Sequence, residues 1–314
     1  MYWQGTHRSG ARPSLDAVDV NELRAEVRDF LTTRRGRITP AEAGLPVYGG
    51  LRRVSGLRRE ELAMLAGLSV EYYSRLERGN LRGVSEAVLE ALTRALRMTE
   101  AERAHLYDLA RAANATAGAR RRVVPQQIRP GVQRILDALT APALVSNARM
   151  DYLAANRAGR ALYAPLFDSP VGTNAARFLL LDPRGPDFYP DWDQAVDDVV
   201  ALLRTQSAKT PFDKVITDLI GELSARSDTF RTRWARHDVR LHLTGTKRLR
   251  HPVVGDLDLR FETMELPADP GLALLLYTAE HGSETEQALT FLASWAATPG
   301  RSGSRIRQRA LTRR

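Results

Sequence analysis

A chain of 314 residues with 43% apolar content is long enough for two cored domains, and no apolar run approaches the roughly 20 residues that span a bilayer. Zero cysteines exclude disulfides, thiolate metal sites and cysteine nucleophiles, and the six histidines are scattered without an HExxH-like pair, so no metal, cofactor or catalytic centre is expected. The formal charge of +9 suits a nucleic-acid partner, although lysine stands only at Lys209, Lys214 and Lys247 and so arginine-rich a chain is also what a GC-rich genome would encode.

In chain order, residues 1–17 are polar and turn-rich and are expected to lack fixed structure. Val20, Leu23, Val27, Phe30 and Leu31 then predict an amphipathic helix over 18–35. Glycines and Pro46 break the stretch that follows, with Thr39 placed to cap a brief turn opened by Pro40. Arg52 and Arg53 in it are either phosphate contacts or part of a solvated loop. Residues 58–66 predict a short helix with Glu60 and Glu61 in its first turn, where the helix dipole favours negative charge, and Leu62, Leu65 and Ala66 as its apolar face. Ala63 is small enough for a second helix to cross closely, and Gly67 can take the left-handed backbone that stops the first. Ser69 caps the next helix, Val70 to Arg78, which Gly79 ends. A loop with Arg82, a helix from Ser85 to Leu96, and a T-x-x-E capping box at Thr99 to Glu102 opening a fifth helix complete an all-α domain over 18–113.

Within the Val70 helix, Tyr73 and Leu76 face inward with Leu68, so Val70, Glu71, Tyr72, Ser74, Arg75 and Arg78 face out. A helix in the major groove reads bases mainly through its N-terminal half, which nominates Val70, Glu71, Ser74 and Arg75. Arg75 can pair bidentately with guanine, and Tyr72 can reach a thymine methyl or a phosphate. A plain helical hairpin with a solvated face has the same periodicity. What separates the two is Ala63, Gly67, Ser69 and Leu76-Glu77-Arg78-Gly79, whose order and spacing resemble the helix-turn-helix of the phage-repressor and XRE superfamily. That resemblance implies that Glu77 pairs with Arg34 or a neighbour in the first helix. It also places Arg59, beside Arg58, where the family has a phosphate contact, and puts Arg82 in a loop near DNA. The expected DNA-binding set is Arg58, Arg59, Ser69, Val70, Glu71, Tyr72, Ser74, Arg75, Arg78 and Arg82.

Residues 114–130, with Arg120 to Arg122, Pro125 and Pro130, read as a linker. A second domain follows over 131–296. A helix carries Val132, Ile135, Leu136 and Leu139; two strands flank a turn at Asn147 to Arg149; a helix runs from Ala158 to Leu166; and Asn174 to Leu181 is apolar around Arg177. A D-x-x-Q capping box at Asp191 to Gln194 opens a helix ending near Arg204, and two further helices cover 213–225 and 228–237. Alternation then predicts strands at 239–246, 255–266 and 271–280 before a helix over 283–296. Two strands, several helices and three antiparallel strands is a PAS-like order, and the basic tail 297–314 is expected to be disordered. The fold class is α+β: an N-terminal all-α, phage-repressor-like helix-turn-helix domain, then a PAS-like α+β domain.

The whole chain resembles XRE-type regulators with a C-terminal MmyB-like ligand-binding domain. The resemblance rests on Gly56 to Gly79, Asp151 to Asn156, Arg177 to Pro183, Asp191-Trp192, Phe230, Trp234 to Val239 and His251 to Gly255, in one order. It implies a cytoplasmic transcription regulator with no enzyme activity, whose second domain receives a small apolar or fatty-acid-like molecule. The alternatives are a constitutive regulator whose second domain only dimerises and an enzyme or lipid-handling protein that the helix-turn-helix localises. Candidate ligand-binding residues are Leu153, Asn156, Arg177, Phe178, Trp192, Phe230 and Trp234, each of which is also accounted for by packing or, for Asn156, by a helix cap. Arg177, costly to bury alone, either answers a carboxylate such as Asp151 or Asp182 or receives a ligand carboxylate. His251 before Pro252 reads as a hydrogen-bonded turn residue. Since one recognition helix binds weakly, a homodimer on a roughly palindromic double-stranded operator is expected.

Overall fold

Leu23, Val27, Phe30 and Leu31 recur at helical spacing, and in the computed structural model they form the buried stripe of helix α1 (Leu15–Arg37). The structure describes residues 15–45, 56–115, 127–211, 213–239 and 244–297. Arg52, Arg53, Arg120 to Arg122 and the tail beyond residue 297 lie outside the described residues, as does the lead up to residue 14; α1 starts three residues earlier than its pattern suggests. The chain divides into two units, Met1–Thr116 and Ala117–Arg314.

In the first unit α1 is followed by α2 (Arg59–Ala66), α3 (Val70–Glu77), α4 (Glu86–Ala95) and α5 (Glu100–Asn114). Leu62, Leu76, Leu89, Leu92, Leu106 and Leu109 fill the space between them. Ser85 and Thr99 cap α4 and α5 as their residue types demand, and Glu102 closes the capping box on Thr99. Thr39 and Glu42 exchange hydrogen bonds across a turn at 40–44, which never becomes a helix. Leu65 departs from its expected place: Leu62, Ala63 and Ala66 are buried, and Leu65 is exposed, lying about 100° round the helix from the centre of that stripe.

The second unit is a five-stranded antiparallel sheet with helices on both faces. The strands are β1 (Ala143–Asn147), β2 (Tyr152–Ala155), β3 (Thr244–His251), β4 (Gly255–Glu265) and β5 (Leu272–Thr278), in the order β2-β1-β5-β4-β3. Period-two alternation sorts their side chains. Leu144, Tyr152, Leu249, Leu257, Leu259, Phe261 and Tyr277 point into the main core. Ala143, Val145, Ala154, Leu272 and Leu274 meet Val132 and Leu136 of α6 (Pro130–Ala138) on the other face. Pro130 thus opens a helix rather than ending a linker, in the N-terminal position where its missing N–H costs nothing.

Between β2 and β3 come α7 (Arg157–Leu162), α8 (Ala164–Phe167), α9 (Ala175–Leu181), α10 (Gly185–Phe188), α11 (Trp192–Lys209), α12 (Lys214–Arg226) and α13 (Asp228–Trp234). After β5 comes α14 (Glu284–Ala297). The helix expected over 158–166 is broken at Tyr163 because Pro165 has no N–H to give Ala161, whose carbonyl instead takes the His251 ring. The capping box expected at Asp191 does not form: Asp191 faces Arg248 at 3.2 Å, and Gln194 bonds Asp198 at 2.7 Å. The helix it precedes runs on to Lys209, past the expected end at Arg204. The first of the three late strands is also displaced. A tight turn pairs His251 with Gly255 and fixes the register of β3 over 244–251, whereas residues 240–243 lie outside the described residues. No helix among the described residues is long and apolar enough to cross a membrane.

Candidate functional site

The turn between α2 and α3 is built from three residue types. Gly67, at φ +65, takes the left-handed conformation and lets Leu68 N–H reach the Ala63 carbonyl at 2.8 Å. Fully buried Ala63 leaves room for α3, and the Ser69 hydroxyl accepts the Tyr72 N–H at 3.1 Å. Tyr73 and Leu76 point inward, so Val70, Glu71 and Arg75 are exposed along one side of α3 with Tyr72 and Ser74 half-buried beside them. Gly79 at φ +94 is required where it stands, since a Cβ there would lie 2.4 Å from the Arg24 carbonyl oxygen of α1.

One carboxylate locks the three helices together. Glu77 is almost fully buried; Arg35 of α1 gives it a 2.7 Å bond, Arg59 of α2 donates through Nε, and Tyr73 donates at 3.3 Å. Arg35 also donates to the Leu57 carbonyl at 2.7 Å. Burial pushes the Glu77 carboxyl up, but the hydrogen bonds and charges of Arg59 and Arg35 outweigh it and hold it below the ordinary value. The first-helix partner is therefore Arg35; Arg34 turns the other way to Glu102 of α5 at 2.6 Å. Arg59 gives its Nε to Glu77 while its side chain stays exposed, so it ties the helix junction and keeps its other N–H groups for the phosphate contact that the resemblance implies.

The remaining cations of the expected set differ in freedom. Arg78 is exposed yet returns its Nε to the Ser74 carbonyl at 3.0 Å. Arg75 lies over the Tyr72 ring at 4.9 Å with no described carboxylate at ion-pair distance, so its N–H groups are available. Arg58 and Arg82 are exposed, and Arg82 sits in a loop tied down by the 2.9 Å bond from Gly83 N–H to Asn114. Such a face offers a charged, pre-ordered hydrogen-bond fork to a nucleic-acid edge.

The second unit gathers some of its expected residues and disperses others. Phe178 is fully buried against Phe188 at 5.6 Å and Tyr189 at 6.3 Å, and Trp192 donates its indole N–H to the Leu179 carbonyl at 3.1 Å. Phe230 stacks on Trp234 at 5.5 Å. Leu153 does not join them: it packs with the α6 side, on the opposite face of the sheet, and cannot line the same site. Asn156 has no capacity left for a ligand. Its carbonyl oxygen accepts from Gly159 and Ala143 N–H, and its amide donates to the Leu139 and Ala141 carbonyls. Arg177 answers neither Asp151 nor Asp182; Asp151 takes the Asn174 amide and Asp182 takes Arg184, while Arg177 pairs with Glu222 of α12 at 2.8 Å.

Two groups escaped the sequence reading. Arg204, fully buried in α11, lies 4.1 Å over the Trp234 ring and bonds the Trp234 carbonyl and His237 Nδ1. Tyr152, Tyr163, Tyr189 and Tyr277 converge in the main core, with a 2.8 Å bond from Tyr163 to Tyr277. Burial pushes the Tyr152 hydroxyl up to about 12 and the other three well above the ordinary phenol value. They sit in apolar stretches far apart in the chain, and only the alternation around Tyr152 and Tyr277 hinted at a shared face. His251 is hydrogen-bonded as expected: Nε2 donates to the Ala161 carbonyl at 3.1 Å and Nδ1 accepts from Val253 N–H at 3.2 Å, the neutral tautomer, which burial favours.

Comparison with known proteins divides the chain in the same two parts. Residues 128–292 match the family described as MmyB-like transcription regulator ligand binding domain, and residues 49–106 match one described as helix-turn-helix domain. No curated protein matches the chain.

Proposed function

The chain belongs to the MmyB-like transcription regulator family, and on that premise we propose that its DNA-binding and ligand-binding parts form a ligand-responsive switch acting on a specific operator. That it is a DNA-binding transcription regulator follows from the two matched domains. The finer reading is ours. The second unit senses a small apolar or fatty-acid-like molecule, and the protein acts in the cytoplasm as a homodimer on a roughly palindromic operator without catalysing a reaction. The sheet order with helices inserted between β2 and β3 supports a PAS-like receptor. The observation that carries the DNA half is Arg75, exposed on α3, stacked on Tyr72 and unclaimed by any described carboxylate.

Fluorescence anisotropy on selected operator and on random duplex tests that half. Arg75→Ala is expected to cost about 2 kcal/mol on the operator and to relax one base position, while Arg82→Ala weakens both duplexes alike. Equal losses on both duplexes for Arg75→Ala would remove it as a base reader. Native mass spectrometry with solvent extraction tests the other half: a stoichiometric apolar carboxylate makes the second unit a receptor. A truncation ending near Ala112 that loses dimerisation but binds DNA regardless of added amphiphile favours a second unit that only dimerises. A ligand regulates only by binding the DNA-competent and incompetent states unequally.

A further inference from the structure

Several cations near the core of the second unit are held by carboxylates. Arg149, Arg177, Arg184 and Arg233 each meet a carboxylate at ion-pair distance, respectively Asp151, Glu222, Asp182 and Asp197. Lys247 does not. Alternation along β3 puts it on the same side as Leu249 and His251, both almost fully buried, and its cross-strand neighbour is buried Leu259. Among the described strand residues it is the only lysine or arginine on the face that packs against the main core. Its amine lies 5.3 Å from the centroid of the Phe261 ring. The charge of Asp198 reaches it from α11, and that carboxylate also accepts the Gln194 amide at 2.7 Å. Burial pushes the amine below the ordinary lysine value, and Asp198 offsets this only in part.

Lys247 is half-buried and has no carboxylate at ion-pair distance among the described residues, and an incoming anion supplies the missing partner. Lysine is also the better residue for such a task than arginine: a compact point charge on a flexible stem that a variable head group can meet. A surface lysine laying its stem on an apolar wall would serve only packing, and would not distinguish an acid from an alcohol.

We propose that Lys247 is the anion-reading group of the second unit, receiving the carboxylate of an amphipathic ligand whose apolar part lies against Leu249, Leu259 and Phe261. This rests on the receptor reading above. Dodecanoate and dodecanol, matched in chain length and differing in charge, are the probes, titrated by calorimetry into the full chain. The wild type is expected to prefer dodecanoate. Lys247→Met keeps the stem and removes the charge; it should bind dodecanol unchanged and lose the preference for dodecanoate by about tenfold or more. Lys247→Arg should restore part of it. A preference that survives in Lys247→Met overturns the assignment while leaving the receptor intact; failure of the wild type to bind either amphiphile overturns the receptor reading and the assignment with it. The wild type also carries its own test, since the chain has only three lysines. Dodecanoate should shield Lys247, and not Lys209 or Lys214, from acetic anhydride, and equal labelling of all three with and without it would contradict the proposal.

Discussion

The polar groups at the centre of each unit differ in kind. At the junction of α1, α2 and α3 the helical unit buries the Glu77 charge and neutralises it at once with Arg35 and Arg59 drawn from two other helices. The sheet unit buries four phenols that share hydrogen bonds among themselves and carry no charge at ordinary pH. A fixed ion cluster specifies one arrangement of α1, α2 and α3, which is what a surface that must register on a duplex needs. Phenols that donate and accept can exchange partners at small cost, which suits an interior that has to admit a guest.

The sharpest way to break that contrast is to remove the charge. Glu77→Ala strands Arg35 and empties the junction of three helices, and is expected to cost about 3 kcal/mol, read as lost amide protection in α1 to α3. Because its carboxyl is held below the ordinary 4.5, Glu77 stabilises the folded state above that pH, and the contribution is lost as pH falls through the depressed value. Glu77→Gln should remove that part of the acid sensitivity. Protection in α1 to α3 with the same acid profile in Glu77→Gln as in the wild type would show that the carboxylate is not what holds them. Next in size is Asn156→Ala, about 2 kcal/mol by chemical unfolding of the second unit, since it frees the Gly159 and Ala143 N–H groups in a buried corner.

How far each unit can be read in the sequence follows from the range of its interactions. Ser69, Ser85, Thr99 and Glu102 act within three residues of themselves, so their caps are visible in the sequence. Gly67 and Ala63 are legible for the same reason. In the sheet unit, Asn156 was visible as a cap, but its bonds to Leu139 and Ala141 span 17 and 15 residues and are what exclude a ligand. The partner of Arg177 lies 45 residues on, and no local pattern selects Glu222 over Asp151 or Asp182. Leu153 falls on the α6 face because it follows Tyr152, which points into the main core, and successive strand residues face opposite ways. Asp191 failed as a cap because Arg248, brought near by the displaced β3, competes for it.

A smaller change sharpens the contrast from the other side. Tyr163→Phe deletes the hydroxyl bonded to Tyr277, yet Tyr152 remains within reach of the same group, so a loss of only about 1 kcal/mol in thermal unfolding is expected. A loss several times larger would mean that the phenols are as fixed as the Glu77 cluster.

The smallest effect is expected at Arg177, and it bears most directly on where an anion enters. Its side chain and that of Glu222 both keep about a third of their exposure to water, and Glu222 is shared with Arg226 at 2.7 Å. Water screens such a pair, so Arg177→Met should cost less than about 1 kcal/mol in unfolding. It should also leave the preference for dodecanoate over dodecanol where it stands in the wild type, because the guanidinium is already turned to Glu222. Loss of that preference in Arg177→Met, with Lys247→Met unaffected, would move the anion site from β3 to α9, and Glu222 would then be the group that a ligand carboxylate displaces.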